Sequence, residues 1–243
     1  MKNIFSNILK FLFVAIICYS MYSLLFTNFF SSNQDNNYSY KNKQRKSLTS
    51  YFSWNSQWSD YYRNSFSGTT KVRDHDVVNS SLNINSSYFS NWKELYREMY
   101  KHDKNKLDLV YPMLNDIWRS YNIDRRQFLD VIVSFVQNID YKNPDNSLGI
   151  YTPVEFMAYY QGDCDTRTVF LYTVLKKYNY DVVILDSEAY KHSMIGINIS
   201  SSGKYKYYNG KRYYTWETTS AGWKLGMIPP KQSNISYWNI ITL

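Results

Sequence analysis

The hydrophobic pattern divides the chain into an apolar N-terminal segment, a polar stretch and a patterned C-terminal domain. Residues 11–30 form a run without charge, which at about 1.5 Å per residue spans a hydrocarbon layer of about 30 Å. Residues 1–30 are therefore predicted to form a transmembrane anchor, with a cleaved signal peptide as the rival interpretation. Because the exit of the run lacks the small residues of a cleavage site, an uncleaved single-pass anchor with an extracytoplasmic domain is favoured.

The polar stretch, residues 31–90, is rich in Ser, Asn and Tyr and poor in aliphatic side chains. This composition predicts a partly disordered linker. The aromatic patch at residues 54–66 indicates a short helix or a segment that wraps the domain. His75 lies between two aspartates, but no second cluster supplies further ligands, so a solvated loop is the better interpretation and no metal site is predicted.

From residue 91 onwards, apolar residues recur at helical spacing and predict three helices. Asn91 can cap the first helix, and Asp124 with Gln127 forms a capping pair before the third. Pro112 interrupts the second apolar run and is expected to kink or split that helix. A fourth, short helix is predicted after Thr152, which is followed by a proline at the first helical position.

The second half of this domain predicts one more helix followed by strands. Asp163 is a good cap for an apolar helix that carries Cys164 in its first turn. Residues 192–199 alternate between apolar and polar positions, and residues 204–208 and 211–217 flank a hairpin signal at Asn209-Gly210. We expect these three strands to form an antiparallel meander. Helices followed by a sheet give an α+β domain at residues 91–243.

Composition narrows the class of partner and excludes a disulfide framework. The chain has 28 Lys and Arg against 20 Asp and Glu, a formal charge of +8, which favours anionic partners such as lipid headgroups. The basic residues are scattered and no zinc-finger or Walker spacing accompanies them, so nucleic acid is not an expected partner. Cys18 lies in the apolar segment and cannot be expected to pair with Cys164. No cofactor is predicted.

Three residues in the domain suggest a thiol nucleophile. A thiol with a pKa of about 8.5 is activated by a helix N-terminus and a nearby imidazolium. Cys164 has the first by position, His192 can provide the second, and Glu217 can orient the other ring nitrogen. A lone cysteine on a helix is usually an inert core residue. However, the polar residues on both sides of Cys164 make little sense in a core.

Other charged residues near this trio have more ordinary interpretations. Asp186 and Glu188 are rival acids for the imidazole. A carboxylate beside a thiol raises the pKa of the thiol and so works against its activation. We therefore interpret Asp163 as the helix cap and Asp165 as a charge in the first helical turn. Arg167 is expected to pair with one of these carboxylates.

The segment Gly162-Asp163-Cys164-Asp165-Thr166-Arg167-Thr168 resembles the transglutaminase-like cysteine-enzyme superfamily, including its bacterial transglutaminase-like domains. The resemblance extends over about residues 125–230 and includes Phe135 to Tyr141, His192 and Tyr214 to Thr219. It implies a papain-like fold with the cysteine helix packed on an antiparallel sheet. It also implies Cys164 as nucleophile, His192 as general base and Glu217, where aspartate is more usual, as orienting acid.

The same resemblance leaves the oxyanion donor open. Gln137 and Gln161 are the candidate side chains, and the backbone N–H of Cys164 is the default donor.

The expected function is that of a membrane-anchored thiol enzyme. It would perform acyl transfer or amide hydrolysis on a peptide or protein through a Cys thioester. The alternative is a noncatalytic domain of the same fold that binds peptide or glycan at the cell envelope.

Overall fold

The computed structural model describes residues 47–56, 64–73, 91–107, 110–146 and 148–243, and for the first two ranges the course of the backbone. The predicted anchor at residues 1–30 and the loop that contains His75 lie outside these residues. Within the described part of the chain, no helix has the length and apolar character needed to cross a membrane.

A two-stranded antiparallel hairpin lies within the range predicted as a linker. It consists of β1 (Ser47–Ser56) and β2 (Asn64–Arg73), with Trp54 opposite Phe66 in the register. Together the two strands contain three Thr, one Val and four aromatic residues, and β-branched and aromatic residues are enriched in strands. The aromatic patch therefore belongs in part to paired strands, where a short helix or a wrapping segment had been expected.

Three helices open the patterned domain: α1 (Trp92–Asp103), α2 (Tyr111–Ser120) and α3 (Arg125–Gln137). Asn91 accepts the N–H of Glu94 at 3.1 Å, and Asp124 forms the predicted capping box with Gln127. Pro112 lies in the first turn of α2 and splits the apolar run without kinking a helix. A first-turn position suits proline because the missing N–H has no intrahelical partner there.

The next elements lead directly to the cysteine. They are β3 (Asp140–Tyr141), α4 (Pro153–Tyr159), β4 (Gln161–Gly162) and α5 (Cys164–Lys177). Thr152 caps α4 through a capping box with Glu155. The short strands β3 and β4 pair in parallel, with Tyr141 opposite Gly162. This pairing holds the segment after α3 beside the residues that precede Cys164.

A five-stranded antiparallel sheet completes the domain, in the order β7-β8-β6-β5-β9. Its strands are β5 (Val182–Ser187), β6 (His192–Ile197), β7 (Tyr205–Tyr208), β8 (Lys211–Trp216) and β9 (Asn239–Ile241). The mixed helix and strand content confirms the prediction of an α+β domain.

The strand order differs from the predicted meander in one way that matters for the site. The hairpin at Asn209-Gly210 is confirmed, but β8 and not β7 pairs with β6, with Ile195 opposite Trp216. The chain leaves the sheet after β6, and Lys204 is then held by the carbonyl oxygen of Gly226 at 2.8 Å. This detour leaves room for β8 beside β6. As a result, the strand that ends before Glu217 lies next to the strand that begins at His192.

The core lies on both faces of the sheet. On one face, Ile195 and Ile197 pack with the nearly continuous apolar run of α5, while on the other Met194 packs with Leu185 and Trp238. Burying a large apolar side chain contributes about 1.5–3 kcal/mol, and α5 buries most of its length. The helix that begins with Cys164 is therefore among the most firmly packed elements of the domain.

Candidate active site

Cys164 is the first residue of α5 and its position is fixed by its neighbours. The Asp163 side chain accepts the N–H of Thr166 at 3.0 Å and caps the helix, as predicted. Burial raises the pKa of Asp163, although the hydrogen bonds from Thr166 oppose that rise. A Cβ at Gly162 would come within 2.6 Å of the Thr166 side chain, so a glycine is needed there. The cysteine itself is 6% exposed.

His192 and Glu217 form a hydrogen-bonded pair. The distance between His192 Nε2 and Glu217 Oε2 is 2.7 Å, and the side chains are 12% and 2% exposed. Because Trp216 pairs with Ile195, Glu217 follows at the level of Met194 and extends its carboxylate along β6 toward the histidine. Of the three acids considered from sequence, Glu217 is thus the one that contacts the imidazole.

His192 also interacts electrostatically with Cys164. Burial would lower the pKa of His192, but hydrogen bonds to Cys164 and Glu217 and the charge of Glu217 together raise it to about 10. Since Nε2 is occupied by the carboxylate, we infer that Nδ1 faces the sulfur. An imidazole whose pKa is raised in this way carries a proton at neutral pH, and a neighbouring imidazolium favours the thiolate form of a cysteine.

The Glu217 carboxylate is anchored from its other oxygen. Oε1 accepts the N–H groups of Thr218 and Thr219 at 2.8 and 2.9 Å and the Thr219 hydroxyl at 2.7 Å. Burial would raise the pKa of Glu217, but hydrogen bonds from His192 and Thr219 and the charge of His192 lower it. The carboxylate is therefore held as an anion in a fixed orientation toward the imidazole.

The two candidate glutamines have different surroundings. Gln137 donates its amide to the carbonyl oxygens of Glu217 at 2.7 Å and Trp223 at 3.0 Å, so it supports the peptide of the orienting acid. Gln161 lies on β4, three residues before the cysteine, with its amide 3.5 Å from the Tyr151 hydroxyl. Its role as an oxyanion donor stays a prediction.

Tyr141 is a site residue that the sequence did not single out. It lies opposite Gly162 across the β3–β4 pair, and the backbone N–H of Cys164 is one of the groups that act on the pKa of its hydroxyl. Burial and the charges of Cys164 and Asp163 raise the pKa of Tyr141 to about 12, while the side chain as a whole is 52% exposed. No spacing rule links it to the cysteine, because the contact depends on a parallel pairing of two-residue strands.

A second group of acids lies near the start of α5. The hydroxyl of the fully buried Tyr96 donates to Asp165 at 2.8 Å. Burial, followed by the charges of Asp165 and Glu188, raises the pKa of Asp186 to about 6. The structure therefore groups Asp186 and Glu188 electrostatically with Asp165.

Arg167 corrects a sequence prediction. It was expected to pair with a nearby carboxylate. Instead the side chain is completely buried, and the four described acceptors of its guanidinium are backbone carbonyl oxygens: Val136, Ile139, Gly162 and Thr218. The predicted ion pair is wrong because the loops around the helix turn their carbonyl groups toward this position.

The arrangement is suited to nucleophilic chemistry at sulfur. It combines a thiol at a helix N-terminus, an imidazole that interacts electrostatically with that thiol, and an anchored carboxylate behind the imidazole. Among the described residues, no group of three or more His, Cys, Asp or Glu side chains is arranged to hold a metal ion.

No protein-family model, curated protein or solved structure matches this chain.

Proposed function

We propose that the protein is a transglutaminase-like thiol enzyme that performs acyl transfer or amide hydrolysis through a thioester on Cys164. The observation that carries the proposal is the 2.7 Å contact between His192 and Glu217, with His192 interacting electrostatically with Cys164 at the start of α5. The packing of the cysteine helix on an antiparallel sheet supports a papain-like core. The membrane anchor, the extracytoplasmic location and a peptide or protein substrate belong to the same proposal.

In the first half-reaction, the Cys164 sulfur attacks the carbonyl carbon of an amide and forms a C–S bond. The carbonyl π electrons move to oxygen and give a tetrahedral oxyanion. His192 then gives its proton to the leaving nitrogen as the C–N bond breaks, so that an amine departs and a thioester remains. Glu217 keeps the ring oriented and stabilises its positive charge while the proton is still bound.

In the second half-reaction, neutral His192 takes a proton from the acyl acceptor. If water attacks the thioester, a carboxylic acid is released and the result is hydrolysis. If an amine attacks, a new amide is formed and the result is acyl transfer. Either reaction returns the proton to the imidazole and the electron pair to sulfur, so the Cys164–His192 pair is restored.

The developing oxyanion needs donors near the sulfur. The backbone N–H of Cys164 lies at the helix N-terminus, where its N–H groups and dipole favour negative charge. The Tyr141 hydroxyl interacts electrostatically with this N–H and is the side-chain donor that we propose beside it. A carbonyl oxygen bound at that point would receive hydrogen bonds from both groups, and the phenol stays protonated because its pKa is raised to about 12.

Acylation by a simple activated ester tests the proposal without knowledge of the natural substrate. The full chain in detergent is mixed with p-nitrophenyl acetate, quenched in acid and digested for mass spectrometry. One acetyl group on the Cys164 peptide, with none on Cys18, is the expected result.

The variant Cys164→Ala is the control for this experiment. It should fold and release no burst of nitrophenol. Failure of folded wild-type protein to acetylate Cys164 would contradict the enzyme proposal. An unchanged phenotype of Cys164→Ala together with retained peptide or glycan binding would favour the noncatalytic binding domain, whereas lost turnover in the folded variant would favour the enzyme.

A further inference from the structure

Arg167 is a buried cation whose described hydrogen bonds all go to backbone carbonyl groups. It lies one helical turn after Cys164 on α5 and is 0% exposed. The donor–acceptor distances are 2.9 Å for Nε to Gly162, 2.7 Å for Nη1 to Val136, 3.3 Å for Nη1 to Thr218 and 2.5 Å for Nη2 to Ile139. The guanidinium group therefore uses donors on all three of its nitrogens.

The four acceptors belong to three segments that each carry part of the site. Gly162 immediately precedes the cap of the cysteine helix. Val136 and Ile139 lie at the end of α3, just before the strand that positions Tyr141. Thr218 directly follows Glu217. One guanidinium group thus joins the backbone of the nucleophile to the backbone of the orienting acid.

Burying an arginine here would cost free energy without an evident return if the side chain served packing alone. Burial lowers the pKa of Arg167 to about 10, which measures how unfavourable the site is for charge, although the group is still a cation at neutral pH. Replacing buried charges by apolar side chains of similar volume is often neutral or stabilising. The carbonyl groups at the end of α3 do favour a cation, but that does not account for the bonds to Gly162 and Thr218.

We propose that Arg167 is a positioning residue that fixes the Glu217 carboxylate relative to Cys164. It fixes the Thr218 carbonyl, and Gln137 fixes the Glu217 carbonyl at 2.7 Å. The N–H groups that bind Glu217 Oε1 lie on Thr218 and Thr219, so holding these peptides holds the carboxylate. The inference rests on the proposed function, because it concerns how Glu217 is held against the His192 imidazole beside the proposed nucleophile.

A lysine cannot replace this arginine. Arginine presents five N–H donors in a rigid planar fork, whereas a lysine ammonium has three donors around one atom. Arg167→Lys keeps the charge but cannot reach carbonyl groups on three segments at once. We expect the peptides after Glu217 to loosen, so that the carboxylate stabilises the His192 imidazolium less well.

The matched control is Arg125→Lys. Arg125 also donates to two backbone carbonyl oxygens, Tyr178 at 3.0 Å and Asn179 at 2.7 Å. These acceptors lie at the opposite end of α5, away from the cysteine. Arg125 is an exposed residue of α3 that makes both bonds through Nη2, so the control tests the loss of an arginine–carbonyl contact to the far end of α5 without touching the Glu217 segment.

The test measures the rate at which iodoacetamide alkylates Cys164 in the full chain, as a function of pH and by peptide mass spectrometry. Wild type and Arg125→Lys should react readily at about pH 6. Arg167→Lys should react about tenfold more slowly there. An effect of this size is typical when a residue that orients a metal-binding side chain is removed from a metal site. Its rate should approach that of wild type as the pH rises to about 9, a dependence that a purely structural role would not produce.

Different results overturn different claims. If wild-type Cys164 reacts like an ordinary exposed thiol, the proposed function fails. If wild type reacts readily at low pH and folded Arg167→Lys has the same profile, the positioning role alone is overturned. Circular dichroism checks the fold. Should Arg167→Lys not fold, Arg167→Gln, which keeps a planar donor group, takes its place with the same expected slowing, and an unchanged profile in that folded variant also overturns the role.

Discussion

Among the residues that the structure describes, two histidines contact buried carboxylates, and one of the two lies beside the proposed nucleophile. His192 Nε2 is 2.7 Å from Glu217, and His102 Nδ1 is 2.8 Å from Asp103. Both carboxylates are almost inaccessible to solvent, at 2% and 0% exposure. By distance and burial alone, the two pairs would be judged equivalent.

The surroundings of the two pairs differ. Asp103 also accepts the backbone N–H of Val154 at 2.9 Å and so supports the start of α4, and the ring of His102 lies about 3 Å from the Lys106 amine. Glu217 instead uses its second oxygen to anchor itself to Thr218 and Thr219, and the ring of His192 meets a thiol. A histidine–carboxylate contact therefore occurs both where it supports the fold and at the candidate active site. The group on the other side of the imidazole ring distinguishes the two cases.

The largest effect is expected when the histidine beside the thiol is replaced. His192→Gln removes the imidazolium beside Cys164 and should slow alkylation by iodoacetamide at about pH 6 by about a hundredfold, the low end for loss of an acid–base group. His102→Gln should leave the rate unchanged. Equal effects of the two substitutions would show that the two histidines are not functionally different.

A smaller effect is expected from neutralising the orienting acid. Glu217→Gln keeps the shape of the side chain but removes its charge, which, after the hydrogen bonds to Cys164 and Glu217, is one of the causes that raise the pKa of His192 to about 10. The pKa of His192 should then fall, and alkylation of Cys164 at about pH 6 should slow about tenfold. An NMR titration of the His192 ring, assigned by comparison with His192→Gln, checks the first result. An unchanged midpoint would contradict the assigned role of Glu217.

The corresponding change in the other pair should affect stability. Asp103→Asn weakens the hydrogen bonds to Val154 and His102 in a buried site and should lower the free energy of unfolding by about 1–3 kcal/mol. Urea denaturation measures this loss. Cys164 alkylation in the folded variant should match wild type, and a slowed reaction would mean that the two regions are coupled.

A last effect concerns the pH dependence of stability. The pKa of His192 is raised from an ordinary 6.5 to about 10 in the folded protein, so its contribution is fully present below about pH 6.5 and is lost as the pH rises through about 10. The difference in urea midpoint between wild type and His192→Gln should therefore shrink steadily across this window. A difference that grew with pH would contradict the raised pKa.

Local patterns predicted much of the fold. Helical spacing and capping residues located the helices, and Asn209-Gly210 located a hairpin with both residues at positive φ, 47° and 78°. The order of strands was not predictable in the same way. Whether β7 or β8 lies beside β6 depends on the long connection after β6 and on its contact with Gly226, which no local pattern encodes.

The site was predictable to the extent that side-chain chemistry defines it. Cys164, His192 and Glu217 were chosen for their functional groups, and the geometry brings them together. The partners of Arg167 could not be predicted, since backbone carbonyl groups occur at every residue and leave no signature in the sequence. The position of Tyr141 depends on the two-residue pairing of β3 with β4, which is too short to produce a periodic pattern.

The most direct test of the central claim compares Cys164 in folded and urea-unfolded wild-type protein. In the unfolded chain, the alkylation rate should rise only toward about pH 8.5, as for an ordinary thiol. In the folded protein, we predict that the rate per molecule at about pH 6 exceeds that of the unfolded chain, despite 6% exposure of the side chain. A folded protein whose Cys164 reacts only above about pH 8 would contradict an imidazolium-activated thiol.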